Sequence, residues 1–252
     1  MYPLLRAIAA DRGWSREQSA WAIFAHVVWY HPGSTLAALT IAPNVYAIPD
    51  NLDALAALPC TTERRAHRDP RKLRKHLRDL GGRLTASGGA ADWLDAAVTG
   101  RSPRAAWVDL NERLLTVWGN GRWASYKTAE LAQKVLGFPL VATDAGHAHS
   151  SGPRKGLADL LPRLTPAHTD HSPLAITILD QLTFDLGAAI GEPDVAQVET
   201  SLCDFHSHLK GRYEIGDDIV GVAKAWRDPK VAGYVTDRDW AIYRETFPEH
   251  AA

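Results

Sequence analysis

The chain has 252 residues, 46% hydrophobic and 23% charged, with 28 Lys and Arg against 29 Asp and Glu. These proportions exclude a disordered or collagen-like chain, and a net charge of −1 excludes a uniformly basic nucleic-acid coat while leaving room for a local basic face. Two cysteines, Cys60 and Cys203, exclude a disulfide scaffold and fit a reducing cytoplasm. The first twelve residues hold no signal-type apolar run, and no window has 18 uninterrupted apolar residues, so no membrane partner is expected.

The periodicity is helical almost throughout. Ser15 with Gln18 reads as a capping box opening a helix through Trp21, Ile23, Phe24 and Val27–Val28, ended by His31-Pro32-Gly33. Leu39–Ala42 and Leu140–Thr143 are the two short strand candidates. Pro49-Asp50-Asn51 starts a short helix carrying Leu52, Leu55 and Leu58. Asp69 and Pro70 form an N-cap and first-turn proline, and the helix from Arg71 to Leu80 is expected to stop at Gly81-Gly82. The small-residue stretch 85–91 is where a single domain would divide into two lobes. Ser102-Pro103 opens a helix through Trp107, Leu110, Leu114 and Leu115, and another runs from about Trp123 to Leu136, closed by Gly137. Pro173–Ile190 is a long apolar helix, expected to be the most buried. Glu192-Pro193 opens the next, to about Lys210, and Thr236 with Asp239 caps the last. The expectation is one all-α domain of about ten helices.

Four stretches carry candidate chemistry. Nine positive residues fall between Arg64 and Arg83, against Asp69 and Asp79; Arg71, Arg74, Lys75 and Arg78 share one helical face with Lys72 beside it, suited to a phosphate backbone. Gly119-Asn120-Gly121-Arg122-Trp123 is a tight turn into a helix, which leaves N–H groups for a phosphate, a cation at Arg122 and a stacking face at Trp123. The loop expected over Ala142–Gly156 holds Asp144, its one carboxylate, with His147, His149, Arg154 and Lys155. The fourth stretch runs from Cys203 through His206 and His208 to Arg212-Tyr213; Cys203 reads as a buried small hydrophobe. No His, Cys or carboxylate spacing matches a metal site, so neither metal nor cofactor is expected.

In order along the chain, these segments resemble one family. Gly119-x-Gly-x-Trp-x-x-Tyr-Lys-x-x-Glu-Leu131, then Gly152-Pro-Arg-Lys-Gly-Leu157, then Cys203-x-Phe with Gly211-Arg-Tyr-x-x-Gly216 are similar to segments of the phage α-glutamyl/putrescinyl-thymine pyrophosphorylases. Lys127 stands where several members carry glutamine, and Ser125 where alanine is expected. The resemblance implies a DNA-glycosylase-like helical fold and a transferase of thymine hypermodification, working in the cytoplasm of a bacterial host cell. Such an enzyme takes duplex DNA containing a modified thymine, here phosphorylated 5-hydroxymethyluracil, and displaces phosphate or pyrophosphate with an amino acid or amine, glycine first among the candidates. Chemistry on a base requires flipping it out of the duplex.

On that reading Asp144 is the candidate general base and Lys127 a second catalytic or phosphate-contacting residue. Arg71, Lys72, Arg74, Lys75, Gly119, Gly121, Arg122, Trp123 and Tyr126 are the candidate DNA contacts; Arg154, Lys155 and Arg212 are those for the departing phosphate. Two other functions fit the same residues. One is a glycosylase, with Asp144 stabilising the sugar cation and Lys127 as a Schiff-base amine. The other is a helical DNA-binding module without chemistry.

Overall fold

In the computed structural model, residues 2–167 and 169–250 are described, and they form thirteen α-helices with short 3₁₀ turns and no strand. The helices are α1 (Tyr2–Asp11), α2 (Arg16–Trp29), α3 (Pro32–Ile41), α4 (Leu52–Ala56), α5 (Pro70–Ala86), α6 (Ala90–Val98), α7 (Pro103–Leu115), α8 (Arg122–Leu136), α9 (Ser151–Leu160), α10 (Pro173–Ile190), α11 (Val195–Leu209), α12 (Asp217–Trp226) and α13 (Asp237–Thr246). The protein is all-α. The chain forms two compact units. The first comprises residues 1–102, 109–140 and 218–252, and the second residues 103–108 and 141–217. Residues 85–91 lie within the first unit, as the end of α5, a turn over residues 87–89 and the start of α6.

The expected caps form. Ser15 and Gln18 make a reciprocal capping box on α2, Asp69 caps α5 ahead of Pro70, and Thr236 with Asp239 boxes α13. Gly137 closes α8 in the left-handed region at φ 71°. Both strand candidates are absent: Leu39–Ile41 belong to α3, and residues 140–143 form no strand. His31-Pro32-Gly33 does more than end a helix. His31 caps α3, accepting at Nδ1 from the Ser34 N–H at 3.1 Å, and Pro32 opens its first turn. Gly33 is required because a Cβ there would lie 2.5 Å from Val231 Cγ2.

Two helices differ from expectation for reasons of packing. The α5 helix runs through Gly81-Gly82 to Ala86, because Gly81 is buried against Ile48 and tertiary burial overrides the local glycine cost. Residues 151–156, expected in a loop, instead open α9, which runs from Ser151 to Leu160. In the second unit α9 lies against α11 at close range: a Cβ on Gly152 would be 2.7 Å from Cys203 Sγ, and one on Gly156 would overlap the Leu202 backbone. Two of the quoted motifs therefore meet as one helix–helix contact.

The second unit's core is Leu157, Leu179, Val198 and Leu202. Of α10 only Ala175, Leu179, Thr183 and Gly187 are buried, one stripe at a four-residue repeat, so it is not the most buried helix. Leu174, Ile178 and Ile190 are exposed. Among the described residues α10 is the one helix long and apolar enough by composition to cross a membrane, at 18 residues and mean hydropathy 1.3. In the first unit, α12 and α13 close over α1 through Leu4, Ile8, Val222, Trp226, Ile242, Tyr243 and Phe247.

Candidate functional site

The first unit buries a group of polar side chains around the start of α8. Trp123, Lys127 and Glu130 stand at i, i+4 and i+7, so one face of α8 carries all three. Lys127 Nζ lies 2.5 Å from Glu130 Oε2 and 2.8 Å from the Tyr2 hydroxyl. Burial opposes the Lys127 charge, but Glu130 and the Tyr2 and Tyr30 phenols more than offset it and hold the ammonium protonated well above the ordinary lysine range. Burial pushes the Tyr2 phenol above its ordinary value. Glu130 Oε1 is buried with no hydrogen-bond partner among the described residues.

The end of α2 supplies the next wall. Tyr30 adopts φ 48°, the one non-glycine positive φ among the described residues, and its N–H donates to His26 O at 2.6 Å. Such a conformation costs energy in a bulky residue and persists only where its surroundings enforce it. It sets the Tyr30 ring edge-on to Trp123 at 4.7 Å and 5.3 Å from the His26 ring. His26 is buried with Nδ1 3.2 Å from Thr35 Oγ1; burial, aided by the Lys127 charge, lowers its pKa to about 3.

The 3₁₀ segment Thr62–Arg68 and α5 complete the cluster. Arg64, the first member of the basic run, points inward at 6% exposure, with Nε donating to Val28 O at 3.3 Å and Nη2 3.0 Å from His67 Nε2. His67 Nδ1 donates to Val28 O at 2.7 Å, and His76 Nδ1 to Trp118 O at 2.5 Å; their rings lie 4.4 Å apart. Burial, with the Arg64 charge, lowers His67 to about 4 and His76 well below the usual histidine range. Both imidazoles are neutral at pH 7.

The Gly119-Asn120-Gly121 turn is fastened to this group. Gly119 sits at φ 86°, and a Cβ on it would come within 3.2 Å of His76 Nδ1. The Trp118 N–H donates to Asp79 Oδ2 at 2.8 Å, and Lys75 Nζ lies 4.4 Å over the Trp118 ring. So α5 and the glycine turn, singled out separately in the sequence, are adjacent. Arg71, Lys72 and Lys75 are exposed, and Arg74 is partly so; Arg71 pairs with Asp69 at 3.3 Å and Arg74 with Asp53 at 2.6 Å. Exposed pairs of this kind are weak and exchange readily for other anions. Gly121 opens α8 with no side-chain cap. Of nine tryptophans, Trp123 alone is exposed, at 38%. Tyr126 is buried, with the Arg122 guanidinium 4.8 Å over its ring.

The remaining candidates belong to the second unit. Asp144 is half-buried and its Oδ1 accepts from the Gly146 N–H at 2.7 Å. His147 is buried, 2.8 Å from Thr183 Oγ1, and His149 is exposed. Arg154 is buried on α9, donating to Asp170 O and lying 2.8 Å from the His171 ring. Lys155 is half-buried and Arg212 exposed.

Sequence reading singled out Trp123 and Lys127 but not Tyr2, His26, Tyr30, Arg64, His67 or His76 as partners. The usable signal was the spacing of Trp123, Lys127 and Glu130, which sets a charged pair on the inward face of an amphipathic helix. No curated protein is similar enough to the chain to count as a match. The profile of the family described as amino acid:DNA transferase matches residues 12–213, which takes in the α8 face, the glycine turn, the basic helix and the α9–α11 contact. The chain therefore belongs to the amino acid:DNA transferase family and is an enzyme that transfers an amino acid to DNA.

Proposed function

We propose that this transferase joins an amino acid or amine, glycine first among the candidates, to the exocyclic methylene of a phosphorylated 5-hydroxymethyluracil in duplex DNA. The amine nitrogen bonds to the methylene carbon as the carbon–oxygen bond to phosphate breaks. Phosphate or pyrophosphate leaves with the electron pair, and the amine's proton passes to a general base. The base must leave the stack to react, as in the glycosylase-like helical enzymes that the sequence resembles. A stacking ring beside phosphate-binding cations is what such a flipped base requires.

The observation that supports this reading best is the α8 face within the region matched to the family: solvent-open Trp123 one turn above the buried Lys127–Glu130 pair. It also argues against excision through a Schiff base at Lys127. A Schiff-base glycosylase needs a neutral amine, whereas Glu130 keeps Lys127 charged.

Asp144 is the proposed general base. The assay is phosphate release from DNA carrying 5-phosphomethyluracil, with and without glycine. Release is expected only when both substrates are present. Asp144→Asn keeps the acceptor for the Gly146 N–H and removes the base, so turnover should fall at least about a hundredfold with melting temperature and DNA affinity unchanged. Near-normal turnover would remove Asp144 from the mechanism.

A further inference from the structure

We infer that Arg64, with His67 and the exposed Trp123 ring, forms a binding site for a phosphomonoester, taking the activating phosphate of the flipped base. This rests on the proposed function and adds to it the group that holds the leaving oxyanion.

Arg64 is 6% exposed, yet no carboxylate pairs with it among the described side chains. Its hydrogen bonds among the described residues go to neutral acceptors, the Val28 carbonyl and His67 Nε2, and come from Nε and Nη2. A cation taken out of water without a counter-ion is costly, and structures that retain one generally use it on an anion. Among the described side chains the nearby titratable groups do not neutralise it. Burial holds His67 and His76 as neutral rings although their Nδ1–H groups donate to Val28 O and Trp118 O. Cys60, which senses the Arg64 charge, is a thiol pushed up to about 11 by burial.

The neighbours specify what the anion is attached to. The guanidinium carbon lies 5.8 Å from the Trp123 ring centroid, and that ring, 38% exposed, is buttressed edge-on by Tyr30. A planar base can stack on such a ring while a phosphate on its exocyclic carbon reaches the guanidinium. Gly119 brings backbone close to the two histidines, where a side chain would crowd His76 Nδ1 at 3.2 Å and His67 Nε2 at 3.5 Å. Burial separates Arg64 from Arg71, Lys72 and Lys75, whose exposed charges suit the phosphodiester backbone instead.

The test is calorimetric titration of inorganic phosphate into the full chain at fixed ionic strength, using wild type, Arg64→Gln and Arg64→Lys. Phosphate should bind wild type, bind Arg64→Gln at least about tenfold more weakly, and bind Arg64→Lys between the two. Acetate should not compete, and affinity for unmodified duplex should be the same in wild type and Arg64→Gln. Equal phosphate binding in Arg64→Gln, or none in wild type, overturns the inference. Competition by acetate would make this a carboxylate site for the amino-acid substrate, and a parallel loss of duplex affinity would place Arg64 against the phosphodiester backbone; either also overturns it. Should Arg64→Gln fail to fold, phosphate-dependent fluorescence decides: the change must be present in wild type and lost in Trp123→Leu, and its persistence there overturns the inference. Phosphate binding at Arg64 without any amine transfer would sink the proposed function and spare the site. Transfer at the wild-type rate in Arg64→Gln would do the reverse.

Discussion

Lysine and glutamate three residues apart on a helix usually reach into water, where their attraction is worth a few tenths of a kcal/mol. Lys127 and Glu130 have side chains only 11% and 1% exposed, so here the pair sets the local electrostatics. Removing one partner leaves a buried charge. Glu130→Gln should therefore cost about 3–5 kcal/mol in chemical denaturation, whereas the double variant Lys127→Met/Glu130→Leu should stay within about 2 kcal/mol of wild type. Equal destabilisation by the single and double variants would mean the pair contributes through packing rather than charge. This scale was the least legible in sequence. A run of nine cations does not reveal that Arg64 turns inward while Arg71 and Lys72 face solvent. That depends on Val28 and His67, which meet Arg64 only in three dimensions.

At the scale of elements, local chemistry dictated much of the outcome. Ser15, Asp69 and Thr236 cap where their side chains satisfy first-turn N–H groups, and Gly137 ends α8 as a left-handed residue must. The misread elements are those in which a distant partner decides. Gly81 continues a helix because Ile48 covers it, and α10 exposes apolar residues because its partners cover one stripe. The basic face of α5 makes its own prediction. Replacing Arg71, Lys72, Arg74 and Lys75 by alanine should weaken DNA binding for all sequences. The slope of log affinity against log salt should flatten by about one for each phosphate that is no longer neutralised. Filter binding across a salt series measures this, and an unchanged slope would place the duplex elsewhere.

For the whole molecule, the family match spans residues 12–213 and so includes parts of both units. Helices α1, α12 and α13 lie outside it, yet α1 contributes Tyr2 to the Lys127 cluster. The buried histidines tie global stability to pH. His26 and His67 have folded-state pKa values of about 3 and about 4, against 6.5 for the ordinary side chain. Both are thus depressed, so the unfolded chain takes up protons below pH 6.5 that the folded chain refuses. Stability contributed by each is complete above pH 6.5 and falls as the pH drops towards the folded value, by up to about 1.4 kcal/mol per pH unit per histidine. Urea denaturation at pH 7 and pH 5 should show the lower midpoint at pH 5, and equal midpoints would mean these histidines are solvated.

The proposed reaction joins an amino acid or amine to an activated base. Its most direct test is nucleoside mass analysis after the full chain is incubated with 5-phosphomethyluracil duplex and isotopically labelled glycine. A new thymine-derived nucleoside should carry the label through a carbon–nitrogen bond, with one phosphate released per adduct. An abasic site in place of the adduct, or unaltered DNA across all amines tried, would contradict it.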